Sequence, residues 1–409
     1  MKVLIVGAGG QGGVCASILA QNEKVKHIKL VDINEEVAEH VRLNIEAGQD
    51  KVHIGTVDAM NPEDVARHAD GVDVVVDMVM PWMVTSVMKG ALSAKANYIN
   101  TAFDTPFWEE FREGKPPETL TLSKEFREAG LTALFGCGFA PGWTNVLARR
   151  LANRLDTVES IKMFVSKVTI IPGETQYDWL FRPWNPGWSP KQALIDCASS
   201  TYVFEKGEFV EYAPYAGIEE CVFPGPMGKQ FVTHHSHEEN YSMPFTFTGV
   251  RNVEFKYNLQ PQPAIFYATG LLSQEKKEIN GSRVSPLDVV ASCIAPPSSG
   301  VFGLSDEQLA FADKTSLVEL IVDVKGMKDG NPAGFTANCP KMNAPGPELK
   351  KLFGTAQVYV ALPLSVGVII LGETEQKKGI VFADELDPED FIGRMMATGY
   401  PYQWKEVSY

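Results

Sequence analysis

Short apolar runs separated by glycine and polar clusters set the rhythm of the first third of the chain. Val3–Val6, His27–Val31, Val52–Val57, Val72–Val79, Tyr98–Thr101 and Thr132–Phe135 read as strands. Between them, Glu35–Ala47, Pro62–His68, Met83–Ala94 and Leu122–Ala129 carry helical spacing. Val72–Val79 is nearly continuous in apolar character, as a parallel strand covered on both faces requires. Strand and helix alternating in this order predict right-handed βαβ units. The expected fold is therefore α/β, a Rossmann-type doubly wound parallel sheet over residues 1–147.

The pattern changes over residues 148–348. Ile161–Val168 opens a strand-rich stretch, and Val203–Val210 reads as a hairpin turning at Lys206-Gly207. Val253–Leu259 alternates strictly, as a half-buried antiparallel strand does, and Leu317–Val324 is another strand. These predict an α+β substrate domain with a mixed or antiparallel sheet. Asn331–Pro347, rich in proline, glycine and asparagine, reads as a connecting loop. Residues 349–409 then show a small-residue helix over Gly354–Leu371, a strand beginning at Gly379, and a last helix capped at Asp387-Pro388.

Candidate chemistry gathers at the first crossover. Lys2–Val6 breaks into Gly7-Ala8-Gly9-Gly10-Gln11-Gly12-Gly13, with Gly7, Gly9 and Gly12 in G-x-G-x-x-G spacing before a helix over Val14–Gln21. In that reading Gly7 makes the tight turn, Gly9 admits a pyrophosphate and Gly12 lets helix pack on strand; Gly10 and Gln11 complete the loop. The helix start supplies free N–H groups and a positive dipole for phosphate. Asp32 ends the second strand, where a carboxylate meets the ribose hydroxyls and repels a 2′-phosphate. The expected cofactor is NAD, with NADP the other possibility. Asp58 ends the third strand and reads either as an adenine contact or as a cap for the next helix. Met80 and Pro81 follow the fourth strand and are expected to line the nicotinamide half, while Asp104, which follows the fifth at the same carboxyl edge, is a candidate catalytic residue.

Composition narrows the partners. A formal charge of −14 over 409 residues argues against nucleic acid and anionic membrane, which favour basic surfaces. The first strand begins at the first residues, so no signal peptide is expected, and no apolar run reaches transmembrane length. Six cysteines are scattered without a C-x-x-C pair, which suits reduced thiols in the cytoplasm. Cys137 has no activating partner in sequence and is not expected to be a nucleophile. Exposed sheet edges in the second domain make a homodimer the expected assembly.

Several segments together resemble the saccharopine dehydrogenase family. They are the glycine turn, Gly136-Cys137-Gly138-Phe139-Ala140-Pro141-Gly142-Trp143, and Gly187-Trp188-Ser189-Pro190-Lys191 followed by Phe204-Glu205-Lys206-Gly207. The tail adds Lys378-Gly379-Ile380-Val381 and Glu385-Leu386-Asp387-Pro388. The resemblance implies an NAD(P)-dependent oxidoreductase that makes or breaks a carbon–nitrogen bond by hydride transfer through an imine. Its substrate would be an amino acid, such as a lysine derivative, or a polyamine-type amine. It also implies that residues 349–409 return to the nucleotide domain.

Within that resemblance Lys191 stands where saccharopine reductases place an arginine, and would anchor a substrate carboxylate as a point charge. Its plainer reading is a solvated lysine at a helix start. Arg182, set among aromatic residues, and Trp188 are further substrate-binding candidates. Ser236-His237-Glu238-Glu239 is similar to a Y-H-E-E segment of the carboxynorspermidine branch, making His237 and Glu238 candidates for moving the amine proton. Two other readings stay open: a metal site on His234, His235 and His237, and a nucleotide-binding regulatory protein without turnover.

Overall fold

The computed structural model describes residues 1–103, 107–171, 173, 183–294, 302–340, 345–400 and 405–408. The chain divides into two compact units. One comprises Met1–Arg150, Val301–Leu309 and Ala344–Tyr402; the other comprises Leu151–Gly300, Ala310–Asn343 and Gln403–Tyr409.

The first unit is built on a wholly parallel sheet. Its strands are β1 (Lys2–Val6), β2 (His27–Asp32), β3 (Val52–Thr56), β4 (Val74–Asp77), β5 (Asn97–Asn100), β6 (Thr132–Phe135) and a last strand, Gly379–Phe382. Spatial order runs Gly379–Phe382, β6, β5, β4, β1, β2, β3. The chain therefore reverses direction across the sheet between β1 and β4, the crevice where open α/β sheets hold ligands. All four β4 side chains are buried, which explains the nearly unbroken apolar run.

Helix α1 (Gly10–Gln21) is buried from Gly12 to Ala20, because the helix Ala361–Glu373 packs against it. That second helix is apolar along Ala361–Leu371 and packs on β4 and β5 as well. Gly367 permits the approach: a Cβ there would stand 2.7 Å from Ile99 Cδ1 and 2.8 Å from the Cys137 sulfur. The helix starts later than Gly354 because Gly354, at φ +77°, ends a separate helix, Gly346–Phe353, in left-handed conformation. The final helix, Pro388–Ala397, is capped by Asp387, which accepts from the N–H groups of Glu389 and Asp390.

The second unit holds a mixed sheet of nine strands among the described residues. At its centre β7 (Thr157–Thr169) lies antiparallel to Ser316–Lys328 and parallel to Asn252–Asn258. Before the latter come β8 (Thr201–Glu205), β9 (Glu208–Tyr212), β10 (Glu219–Phe223) and β11 (Gly228–His234), so it is β12. The strand expected to be antiparallel is thus antiparallel to β11 and parallel to β7.

The loop expected at Asn331–Pro347 is mostly ordered pairing. Asn331–Pro340 is a strand, paired antiparallel with Ser316–Lys328 in unbroken register. Asp329 and Gly330 both have positive φ, +50° and +75°, and form a two-residue hairpin turn. Proline and glycine content misled because Pro332 and Pro340 sit at the strand's ends, where a missing N–H costs least.

Candidate functional site

The glycine turn follows β1 at the switch point. Gly7, at φ +100°, donates its N–H to Val31 O at 2.8 Å, and a Cβ there would come 2.8 Å from Met78 O. A Cβ on Gly12 would overlap the Gly7 carbonyl, so this glycine lets α1 sit directly on the turn. Gly9 differs: it is exposed, and nothing lies within 4 Å of its Cβ position. As the N-cap of α1 it offers no side-chain acceptor, leaving the first-turn N–H groups available to an anion. Beside it, Gln11 Oε1 is buried without a partner, although its Nε2 donates to Gln357 O at 3.4 Å.

Asp32 is held in place by backbone. Ala8 N–H donates to its Oδ2 at 2.8 Å and Asn34 N–H to its Oδ1 at 3.0 Å, leaving lone pairs for a diol. Ile33, next in the chain, is 70% exposed and offers an apolar surface beside the carboxylate. An open anion site, a fixed acid and an apolar shelf together fit a dinucleotide.

The remaining candidates of this unit are less alike. Met80 and Pro81 are half-buried at the end of β4, with Pro81 opening a short helical turn. Asp58 is exposed, and its Oδ1 accepts from Met60 N–H at 2.9 Å. It does not cap the following helix: Asn61 does, accepting from Glu63 and Asp64. Cys137 is buried and its thiol is pushed up by that burial, which suits an inert packing residue. Asp104, and Arg182 of the other unit, lie outside the described residues.

In the second unit, the residues after β11 build a charged cluster on one face of the sheet. The His237 ring stacks on Phe255 of β12 with centroids 3.8 Å apart and planes 12° apart. Its Nδ1 donates to fully buried Glu239, and Glu238 Oε2 lies 3.5 Å from the same nitrogen. Burial alone would lower the imidazole's pKa. The carboxylates of Glu239, Glu238 and Asp196 outweigh it and hold His237 up to about 9. His235, whose ring centroid lies 6.3 Å away, is pushed down to about 3 by burial and by the charge on His237. One imidazole is thereby held cationic and its neighbour neutral.

Asp196 escaped the sequence reading. It sits on the helix Pro190–Ala198, takes a hydrogen bond from Gln192 Nε2 at 2.7 Å, and is raised to about 7 by burial and by Glu238. A helical i, i+4 Gln–Asp pair was visible in sequence; the burial that perturbs it was not. Aromatic rings continue the same face. His235 lies 5.4 Å from Tyr257, and Tyr257 meets Trp188 edge-on at 6.4 Å. Trp188 is 39% exposed, so its ring is partly open to solvent.

Two expectations do not converge here. His234 is the last residue of β11 and stands across from Lys256, beside Glu254 and the Tyr212 ring. Adjacent β12 residues point to opposite faces, so His234 is separated from His235 and His237. The three histidines therefore do not form one metal site; among the described residues His237, Glu238 and Glu239 are the trio whose ligand atoms lie within 4.8 Å of one another. Lys191 is half-exposed and ion-paired with Asp288 at 2.8 Å, near the start of the helix that Ser189 caps. That arrangement favours its plainer reading.

Comparison with known proteins bears out the family resemblance. Residues 3–134 match the model described as the saccharopine dehydrogenase NADP binding domain. Over 99% of this chain and 97% of its own length, carboxyaminopropylagmatine dehydrogenase from Synechocystis sp. is 24% identical. Carboxynorspermidine synthase from Vibrio alginolyticus is 23% identical over 100% of this chain and 97% of its own. Apo saccharopine dehydrogenase (L-Glu forming) from Saccharomyces cerevisiae shares the fold with TM-score 0.69 at 13% identity, covering 100% of this chain and 99% of that one. Among the described residues no helix is long and apolar enough to cross a membrane.

Proposed function

We propose that this chain, similar to saccharopine dehydrogenases over residues 3–134 and in its fold, is an NAD(P)-dependent oxidoreductase acting on the carbon–nitrogen bond of a polyamine-type amine that carries a carboxylate. The observation that carries the substrate class is the cluster of Asp196, Glu238 and Glu239 around one imidazolium. Its carboxylates outnumber its cation, and Trp188 and Tyr257 extend the same face with rings that attract an ammonium. The two relatives' names, each a carboxylated polyamine compound, agree with this.

Bound in the first unit, a nicotinamide would accept or supply the hydride. Gly7, Gly9, Gly10, Gln11 and Gly12 would hold the pyrophosphate, Asp32 the adenosine ribose, and Met80 and Pro81 the nicotinamide half. Asp32 supports NAD over NADP, since a carboxylate held by two backbone N–H groups opposes a 2′-phosphate. Imine chemistry also needs proton traffic on the amine. Asp196 takes up and releases a proton near neutrality, while His237, kept cationic, orients and donates. Lys191 remains the candidate for the substrate carboxylate, and would have to leave Asp288 to bind it. A cytoplasmic homodimer completes the reading. It is supported by the exposed edge strand β10, where Val222 is 65% exposed, and by the described cysteines being free thiols.

The test follows change at the NADH absorbance band across a panel of amines. The panel includes lysine, saccharopine, pyruvate with amino acids, and diamines with an amino-acid semialdehyde. Turnover confined to the diamine arm is expected, with the activity of Asp196→Asn losing its neutral pH inflection. Tight NADH binding without turnover on any arm would instead make the chain a nucleotide-binding regulatory protein.

A further inference from the structure

One polar chain in the first unit belongs to neither the glycine turn nor the Asp32 side of the sheet. Gly136 N–H donates to Asn100 Oδ1 at 2.9 Å, and Asn100 Nδ2 donates to the Tyr98 hydroxyl at 3.1 Å. Tyr98 O–H donates to Asp77 Oδ2 at 2.6 Å, and Val79 N–H donates to Asp77 Oδ1 at 3.1 Å. The links cross the carboxyl ends of β6, β5 and β4 in turn. Asp77 is 2% exposed and Asn100 1%, so the chain is buried where ligands of this fold gather.

The segment after Asp77 rests on the glycine turn. Met78 N–H donates to Val6 O at 2.9 Å. The Met78 carbonyl is the nearest obstacle to any side chain at Gly7, and Met78 Cβ lies 3.3 Å from the Cβ position of Gly12. Whatever holds Asp77 therefore also holds the peptide that packs against the phosphate-binding loop.

We propose that Asn100, Tyr98 and Asp77 form a directed positioning relay that seats the Met78–Pro81 segment against the glycine turn and so sets the affinity for the nicotinamide dinucleotide. The inference rests on the cofactor reading above. The relay has a direction because each donor points toward Asp77, whose ionised carboxylate accepts at both oxygens and donates at neither. Protonation turns one acceptor into a donor and reverses the Tyr98 link.

Few charges compete with this. In the sheet register Asp77 is flanked by Val6 of β1 and Asn100 of β5. The helix Val84–Ser93, which packs on β4 and β5, buries Val84, Val87, Met88 and Ala91. Its lysine, Lys89, is exposed and paired with Glu118 at 2.6 Å. The helix Ala361–Glu373, on the same two strands, carries no ionisable group along its buried Ala361–Leu371 stretch, and among the described residues Tyr98 is the titratable side chain that bonds Asp77. Burial raises the Asp77 carboxyl to about 7 against the opposing hydrogen bonds from Tyr98 and Val79. If the bound form requires the carboxylate, affinity is full above that pH and falls below it.

NADH titrated by fluorescence into the full chain between pH 8 and pH 6 tests the relay, with NADPH as a parallel probe. The wild type should lose about tenfold in affinity over that range, by proton linkage. Asp77→Asn should bind weakly and without pH dependence, since an amide cannot accept from both Val79 and Tyr98. Tyr98→Phe, which keeps the packing, should move the midpoint of the pH dependence upward, a change that loss of stability alone does not produce. An unshifted midpoint in Tyr98→Phe, or an unchanged pH dependence in Asp77→Asn, overturns the relay while leaving the cofactor reading intact. A wild type that binds neither NADH nor NADPH overturns the cofactor reading and the relay with it.

Discussion

The glycine turn of the first unit and the His237 cluster of the second are built from different materials. The turn is backbone: a positive-φ glycine, a helix start without a side-chain cap, and an acid fixed by two N–H groups. The cluster is side chain, assembled from the helix carrying Asp196, the stretch from His235 to Glu239, and two rings of β12. A site made of backbone fails when a side chain is added to it. A site made of buried charges fails when one charge is taken away, because the desolvated remainder is left uncompensated.

Crowding the turn should have the largest effect. Gly12→Val drives two methyl groups toward the Gly7 carbonyl and Met78, and NADH affinity should fall by about a hundredfold, read by fluorescence titration. A variant that binds as the wild type does would remove the turn from the cofactor site. Next comes Glu239→Gln, which takes the buried partner from His237 and should cost about 3 kcal/mol in urea unfolding at pH 6. The pH dependence sharpens this. His237 is raised from an ordinary 6.5 to about 9, so its contribution is complete below 6.5 and is lost as pH rises through 9. The wild type should lose that increment of unfolding free energy across the window, and the glutamine variant should lose far less.

Asp32→Ala probes the polar half of the turn and should weaken NADH about tenfold, with NADPH changing less. Equal losses for both cofactors would mean that Asp32 orders the turn rather than reading the ribose. Lys191→Ala carries the smallest expected effect. Its ion pair with Asp288 is half-exposed and should be worth less than about 1 kcal/mol in thermal unfolding. A large rise in substrate KM at unchanged stability would support Lys191 as the carboxylate anchor, and an unchanged KM would leave it a surface ion-pair partner of Asp288.

The two regions were also unequally legible. Gly7, Gly9, Gly12 and Asp32 stand out in a bare sequence because backbone geometry is encoded locally: a glycine every few residues, an acid one strand later. The same locality made the Lys206-Gly207 hairpin readable. The same local signal stands at Asp329-Gly330, the turn into Asn331–Pro340, but the neighbouring prolines mask it. Asp196 gave no such signal. Its carboxyl is perturbed by burial and by Glu238, far along the chain, and no local spacing records that meeting. His234, His235 and His237 were readable as a group yet belong to two faces, because the strand ends at His234 and the residues beyond it follow a different path.

The route of the chain between its units has a consequence for biosynthesis. The nucleotide sheet acquires its edge strand, Gly379–Phe382, and the cover of α1, Ala361–Glu373, only after the second unit's long hairpin has been made. A nascent chain that stalls before that point presents an open β6 edge and the uncovered apolar flank of α1, both invitations to chaperones and proteases. Neither half can be excised as a continuous fragment, since the last strand, Lys405–Ser408, closes the other sheet against Asn331–Pro340. The first sheet therefore gains its edge only once synthesis has passed Phe382, and the second only once it has passed Ser408.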